Sequence, residues 1–88
     1  MLRRFALDET LHSTMARLRG KYTILVVKEM HSQIPDQDKI ASLRKRGIEI
    51  SIKMRFILSD SMEEKERATT EYRNELRNLN NLYDPEMA

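Results

Sequence analysis

Hydrophobic positions recur with the spacing of an α-helix over much of this chain. Asp8 is a suitable N-cap, and the apolar residues after it lie four and three positions apart, at Leu11, Met15 and Leu18. Gly20 interrupts the pattern, and residues 21–33 continue it in the same phase. The β-branched residues within 21–28 also fit a short buried strand, so this part of the chain has two interpretations.

The clearest break falls at residues 34–36, Ile-Pro-Asp, because proline disfavours a helix at the preceding residue and Asp36 can cap a following one. The pattern predicts a second, short helix over residues 37–46. Its end contains three cations, which the helix dipole favours there: Arg44, Lys45 and Arg46. Gly47 is expected to end this helix as its C′ residue.

Residues 48–58, IEISIKMRFIL, satisfy two incompatible periodicities. At period 2, alternate apolar residues from Ile48 to Leu58 share one side, as in a half-buried strand. At period 3.6, apolar residues form a helical stripe that Ser51 could cap. We interpret the segment as a turn at 48–50 followed by a helix from Ser51 to about Asp60.

Ser61 and Glu64 form an S-x-x-E capping box at the start of a C-terminal helix over residues 61–84. Its inward positions alternate between spacings of three and four, as in a helix-pairing seam. We predict one domain over residues 1–88, with a body at 8–60. The expected fold class is mainly α, and the alternative is a small α+β domain with strands at 21–28 and 48–58.

Charge is divided unevenly along the chain. Residues 1–58 contain twelve Lys and Arg against six acids, whereas residues 59–88 contain four against eight. This division has three interpretations: nucleic-acid binding by the basic part, oppositely charged faces that pair between subunits, or solvated charge scattered over a small surface. A chain of 88 residues buries a modest fraction of its surface, so we also expect an oligomer.

The sequence contains little that could support catalysis. There is no cysteine, the two histidines lack metal-type spacing, and no glycine-rich phosphate loop occurs. We therefore expect neither an enzyme nor a bound metal or cofactor. No apolar run reaches the roughly 18 residues of a membrane-spanning helix, so we expect a cytoplasmic protein without a membrane partner.

Residues 20–30, beginning Gly-Lys-Tyr-Thr before four aliphatic residues, resemble the opening helix of HxlR-type winged-helix transcriptional regulators, with Tyr22 in place of the family's tryptophan. Residues 40–45 are similar to the family's second helix, and residues 50–54 to the start of its recognition helix. Residues 71–84 resemble its last helix, which pairs subunits. Only ten residues lie between Asp60 and Glu71, so the family's β-hairpin wing is reduced or missing.

The resemblance implies a compact winged-helix-like helix-turn-helix domain with a C-terminal dimerisation helix, acting as a homodimeric regulator that binds double-stranded DNA. Ser51, Lys53 and Arg55 would lie in the major groove near base edges or phosphates. Phosphate contacts would come from Arg44, Lys45, Arg46, Arg19 and Lys21. The dimer would form through Tyr72, Leu76, Leu79, Leu82 and Tyr83. The alternative function is a small α+β protein-interaction module, an inhibitor or assembly factor, that does not bind DNA.

Overall fold

The computed structural model describes residues 2–83, which form three α-helices and no β-strand. The helices are α1 (Leu2–Met30), α2 (Gln37–Phe56) and α3 (Met62–Tyr83), and a 3₁₀ turn at Ile57–Ser59 joins α2 to α3. The mainly α fold class is confirmed. The two segments proposed as strands, 21–28 and 48–58, are instead part of α1 and of α2 with the 3₁₀ turn.

α1 lies between the other two helices. α2 runs antiparallel to α1, as the ion pair between Glu29 and Lys39 at adjoining helix ends indicates. α3 runs parallel to α1, because Asp8 contacts Lys65 near one end and Tyr22 contacts Glu75 further along. Packing of α2 directly on α3 is slight. The molecule measures 51 × 27 × 14 Å, so the helices form a single flat layer.

Each helix contributes a seam in which spacings of three and four alternate, the pattern of helices packed side by side. The seam of α1 consists of Leu11, Met15, Leu18, Tyr22 and Leu25. The seam of α2 consists of Ile40, Leu43, Gly47, Ile50 and Met54, and Ile57 continues it. The seam of α3 consists of Lys65, Thr69, Tyr72, Leu76 and Leu79. Burial of these three seams against one another forms the core.

α1 is longer than the sequence pattern predicted. It begins at Leu2 and continues through Gly20, so Asp8 is not its N-cap and Gly20 does not end it. Asp8 instead lies opposite the α3 seam, where its Oδ1 is 2.8 Å from Nζ of Lys65, a side chain that is almost completely buried. A buried ammonium group needs such a carboxylate, because its desolvation would otherwise be costly.

α2 is one continuous helix, and this corrects the predicted helix-turn-helix. Gly47 lies within α2 rather than after it, and Ser51 does not start a new helix. The physical reason is the unbroken seam of α2, in which Gly47 is the residue that faces Tyr22 of α1. Breaking the helix at 48–50 would remove Ile50 from the core, where it is fully buried. Neither the predicted turn nor a wing hairpin occurs within residues 2–83.

The predicted starts of α2 and α3 agree with the structure. Asp36 caps α2, because its carboxylate accepts hydrogen bonds from the backbone N–H groups of Asp38 and Lys39, both at 3.1 Å. Ser61 Oγ accepts the backbone N–H of Glu64 at 3.2 Å and so forms half of the predicted capping box. Local side-chain chemistry therefore determines where both helices begin.

We predict that Gly47→Ala increases the free energy of unfolding by roughly 0.5–1 kcal/mol, because alanine favours a helix interior more than glycine does. A Cβ at this position would lie 3.7 Å from Cβ of Tyr22, which is an ordinary contact. Urea denaturation followed by circular dichroism measures the change. Gly20→Ala is the matched control, since a Cβ there meets nothing within 4 Å and a similar gain is expected. If Gly47→Ala lowered the free energy of unfolding and Gly20→Ala did not, Gly47 would have to adopt the left-handed conformation of a turn. That result would contradict a continuous α2.

Candidate functional site

The residues predicted to contact DNA do not share one face of the structure. Successive residues of a helix differ by about 100° in direction. Lys53 and Arg55 are two positions apart, so they point to nearly opposite sides of α2. Lys53 lies towards the α2–α3 connection, with Nζ 3.5 Å from Asp60 Oδ2. Ser51 and Arg44 lie on the opposite side, facing α1. We call these sides the α3 flank and the α1 flank of α2.

Arg46, predicted as a phosphate contact, is held by carboxylates within the chain. Its Nε donates to Glu75 Oε2 at 2.9 Å and its Nη2 to Glu75 Oε1 at 2.5 Å, a bidentate pair between α2 and α3. Nη1 donates to Glu49 Oε2 at 3.2 Å. The Tyr22 hydroxyl of α1 also donates to Glu75, so this carboxylate joins all three helices. The guanidinium further lies 5.9 Å from the centre of the Tyr72 ring.

These contacts change the acid–base properties of the junction. Burial alone would raise the pKa of Glu75, but hydrogen bonds from Arg46 and Tyr22 and the charge of Arg46 outweigh it and lower that pKa. Burial and then the hydrogen bond to Glu75 raise the pKa of the Tyr22 hydroxyl. The hydrogen bond to Glu75 raises the pKa of Arg46. The junction is therefore a charged, structural contact at neutral pH.

The remaining predicted contacts are spread over two helices. Lys45 and Arg55 are exposed on α2, and within residues 2–83 neither has an acidic partner. Arg19 is exposed on α1, and Lys21 is half-buried there. Of the eight predicted cations and polar residues, the structure brings together Arg19, Arg44 and Ser51, which line one groove.

That groove lies between α1 and α2 and has a volume of about 440 Å³. Its apolar lining consists of Tyr22, Val26, Val27, Met30, Leu43 and Ile48. The small residues Gly47 and Ser51 on α2 leave the space open. Arg19 and Arg44 provide positive charge beside it, and Arg44 Nη2 donates to Met30 Sδ at 3.5 Å. Neither arginine is paired with an acid within the described part of the chain. The groove therefore combines apolar surface with uncompensated positive charge.

Besides the groove, α2 has a row of exposed apolar side chains on the side directed away from α1. Ile48, Ile52 and Phe56 are four residues apart and are 59%, 52% and 62% exposed. This spacing places them along one continuous line on the helix surface. We call these three residues the outer row. Ile48 is also part of the groove lining, so the two apolar surfaces adjoin.

A more polar depression of about 750 Å³ lies between α1 and α3. Side chains of both charges surround it, including Asp8, Glu9, His12, Arg17 and Arg73. This mixture does not favour a ligand of either charge. Within residues 2–83, no group of three or more histidines and carboxylates is placed to hold a metal ion.

The predicted dimer seam on α3 has another role in the structure. Leu79 is buried in the core of its own chain, and Tyr72 and Leu76 are half-buried against that core. Leu82 is exposed, and the side chain of Tyr83 lies outside the described residues. Within residues 2–83, the buried part of this seam packs on α1 of the same chain.

Sequence reasoning missed the groove and the outer row. The sequence contains a signal for the outer row, since Ile48, Ile52 and Phe56 are spaced as one face of a helix. The same residues also fit the alternating pattern of a strand, so this spacing does not by itself distinguish the two structures. No sequence pattern indicates the groove, because its two walls come from separate helices.

Comparison with known protein families, curated proteins and solved structures finds no match for this chain. The resemblance to HxlR-type regulators therefore stays a prediction. Among residues 2–83, none of the helices has a stretch that is both long and apolar enough to span a bilayer. The function is argued below from the two apolar surfaces and the charges beside them.

We predict that Glu75→Gln lowers the free energy of unfolding at neutral pH by about 1–2 kcal/mol, because one charged partner of a partly exposed pair is lost. The folded-state pKa of Glu75 lies below its ordinary value of 4.5, so its stabilisation is present above that pH and lost as the pH falls through the folded pKa. The variant should therefore lose less stability on acidification. Urea denaturation between about pH 3 and pH 7 measures this.

Glu71→Gln is the control for this series, since Glu71 is exposed one turn earlier on α3. The control should retain the pH dependence of the unmodified protein. Equal acid sensitivity of Glu75→Gln and the unmodified protein would contradict a structural role for the junction.

Proposed function

We propose that this protein is a small helical protein-binding module whose α1–α2 groove receives an amphipathic helix of a partner. The single observation that supports this most strongly is the apolar groove with uncompensated positive charge from Arg19 and Arg44. Binding of a helix in such a groove is driven by a few apolar side chains at positions i, i+3 or i+4 and i+7. The proposal keeps the interaction function of the α+β alternative but places it on an all-helical fold.

Charge complementarity specifies the partner's chemistry. Arg19 and Arg44 approach the groove from different helices, and neither is neutralised within residues 2–83. A partner helix that has Asp or Glu beside its apolar face would supply the missing carboxylates. Ion pairs between these arginines and the partner's carboxylates would determine the orientation of the partner and the rate of association more than the affinity. We therefore propose an acidic amphipathic helix as the ligand class.

The size of the groove agrees with a helix ligand. About 440 Å³ accommodates several apolar side chains and falls within the usual range for binding clefts. The lining residues Val27, Met30 and Ile48 are about half exposed, so a bound side chain would bury them further. Their burial provides the apolar contribution to binding.

Selection from a displayed library of helical peptides, with the full chain as bait, tests the proposal. We predict enrichment of peptides with apolar residues at helical spacing and flanking Asp or Glu. Val27→Gln and Arg19→Gln should each weaken binding of a selected peptide by about tenfold, equivalent to 1.4 kcal/mol. Ile24→Gln is the matched control, because Ile24 is exposed one turn away on α1 and does not line the groove. Absence of this peptide pattern, or equal effects of Val27→Gln and Ile24→Gln, would contradict the proposal.

DNA binding is a second proposed function, favoured by one observation. Lys45 and Arg55 are exposed on α2 without acidic partners in the described chain, and exposed cations can contact phosphates. Against it, Lys53 and Arg46 already contact carboxylates. The outer row would also place three large apolar side chains near the phosphates.

Salt-dependent titration of random and selected DNA duplexes distinguishes the two functions. If DNA is the ligand, affinity falls steeply with salt, and Lys53→Ala with Arg55→Ala abolishes sequence preference. Unchanged DNA affinity of this double variant at low salt would reject the DNA assignment. Peptide binding in the groove should be unaffected by the same two substitutions, since neither residue lines it.

A further inference from the structure

The outer row is an apolar surface that nothing within residues 2–83 covers. Ile48, Ile52 and Phe56 extend over two turns of α2, each more than half exposed. Core packing does not require them, because the α2 seam lies on the other side of the helix. A contiguous row of large apolar side chains on a small protein marks an interaction surface.

We propose that a second copy of this chain covers the outer row, with α2 of the two copies packed antiparallel and Ile52 nearest the two-fold axis. Antiparallel pairing sets residues equally far from Ile52 against each other. Ile48 of one copy then meets Phe56 of the second copy, and Ile52 meets Ile52. A two-fold interface must be self-complementary, and this row meets that condition.

The charges beside the row support a second copy as the occupant. Lys45, Glu49 and Lys53 are four residues apart and so form a row of charges beside the outer row, which reaches the α3 flank, and Asp60 follows just beyond the helix. The contacts of Glu49 with Arg46 and of Lys53 with Asp60 place these residues on that flank. In an antiparallel two-fold pair, each flank faces the same flank of the second copy in reverse order. Lys45 then lies opposite Asp60 of the second copy, and Glu49 lies near its Lys53.

Parallel pairing does not give this complementarity. It would set the α3 flank of one copy against the α1 flank of the other, which contains Arg44 and Arg55. Lys45 would approach Arg44 and Lys53 would approach Arg55, so like charges would meet on both sides of the row. Antiparallel pairing brings Arg44 of one copy towards Arg55 of the second on the α1 flank, but it pairs opposite charges on the α3 flank, whereas parallel pairing opposes like charges on both flanks. The charges therefore favour the antiparallel arrangement.

This dimer differs from the α3-mediated dimer expected from the sequence. The α3 seam is already packed on α1, whereas the outer row is exposed. The two proposed surfaces share Ile48, and their other residues can be changed separately. Val27 and Arg19 can be changed without affecting the outer row, and Ile52 without affecting the groove lining.

Sedimentation equilibrium of the full chain over a range of concentrations tests the proposal. We expect a reversible monomer–dimer equilibrium, and at least about tenfold weaker dimerisation for Ile52→Glu, which brings two like charges together at the axis. Ile24→Glu is the matched control and should leave the equilibrium unchanged. Circular dichroism checks that both variants stay helical. A monomer at all concentrations, or equal effects of the two substitutions, would overturn the proposal.

Charge reversal tests the register, with circular dichroism as the check on folding, because Glu49 and Lys53 are also four residues apart on α2 and can pair within one helix. Glu49→Lys and Lys53→Glu should each weaken the dimer, and the double variant should restore it, because opposite charges again face each other. Failure of the double variant to recover would overturn the antiparallel register.

Single cysteines test the orientation, since the chain has no cysteine of its own. When Ile48→Cys and Phe56→Cys proteins are mixed under mild oxidation, antiparallel pairing predicts that the mixed disulfide exceeds both self-linked products. Disulfides require Cα atoms within about 7 Å, so the product distribution reports which positions meet. Predominant self-linkage would indicate parallel pairing and overturn the proposal.

Discussion

The seams of α2 and α3 both pack on α1, and the two outer helices meet each other chiefly through Arg46 and its contacts with Glu75 and Tyr72. α1 is therefore covered on two sides, whereas α2 buries one side alone. Among the helices of residues 2–83, this arrangement leaves the far side of α2 without a neighbour, which is why Ile48, Ile52 and Phe56 stay exposed. It also leaves the groove along the α1–α2 contact open where Gly47 and Ser51 provide no bulk. The apolar surfaces follow from placing three helices in one layer.

Charge is distributed according to the same geometry. On the α3 flank of α2, Arg46 contacts Glu75 and Lys53 contacts Asp60. On the groove side, Arg19 and Arg44 have no such partner within residues 2–83. The protein thus neutralises cations where helices meet and leaves them available where apolar surface is open. This combination is better suited to an acidic amphipathic helix than to a phosphate backbone, because the backbone has no apolar side chains that could pack against the groove lining.

The helix starts and much of the core could be predicted from the sequence, because capping by Asp36 and Ser61 and the seams of α1 and α3 are local patterns. The continuity of α2 could have been predicted too, since Ile40, Leu43, Gly47, Ile50 and Met54 keep one spacing. Glycine at position 47 favours a helix end by its residue type, although in the structure it lies within α2 and faces Tyr22. The bidentate pair of Arg46 with Glu75 and the groove could not be predicted, because both depend on the relative placement of separate helices.

The central claim is that α2 is unbroken from Gln37 to Phe56, since the groove and the outer row both require it. Backbone chemical shifts and amide hydrogen exchange of residues 46–52, measured by NMR on the full chain, test it most directly. The account predicts helical Cα shifts throughout and slow exchange at Ile50, whose side chain is fully buried. Non-helical shifts with fast exchange over residues 47–50 would contradict it and restore a helix-turn-helix.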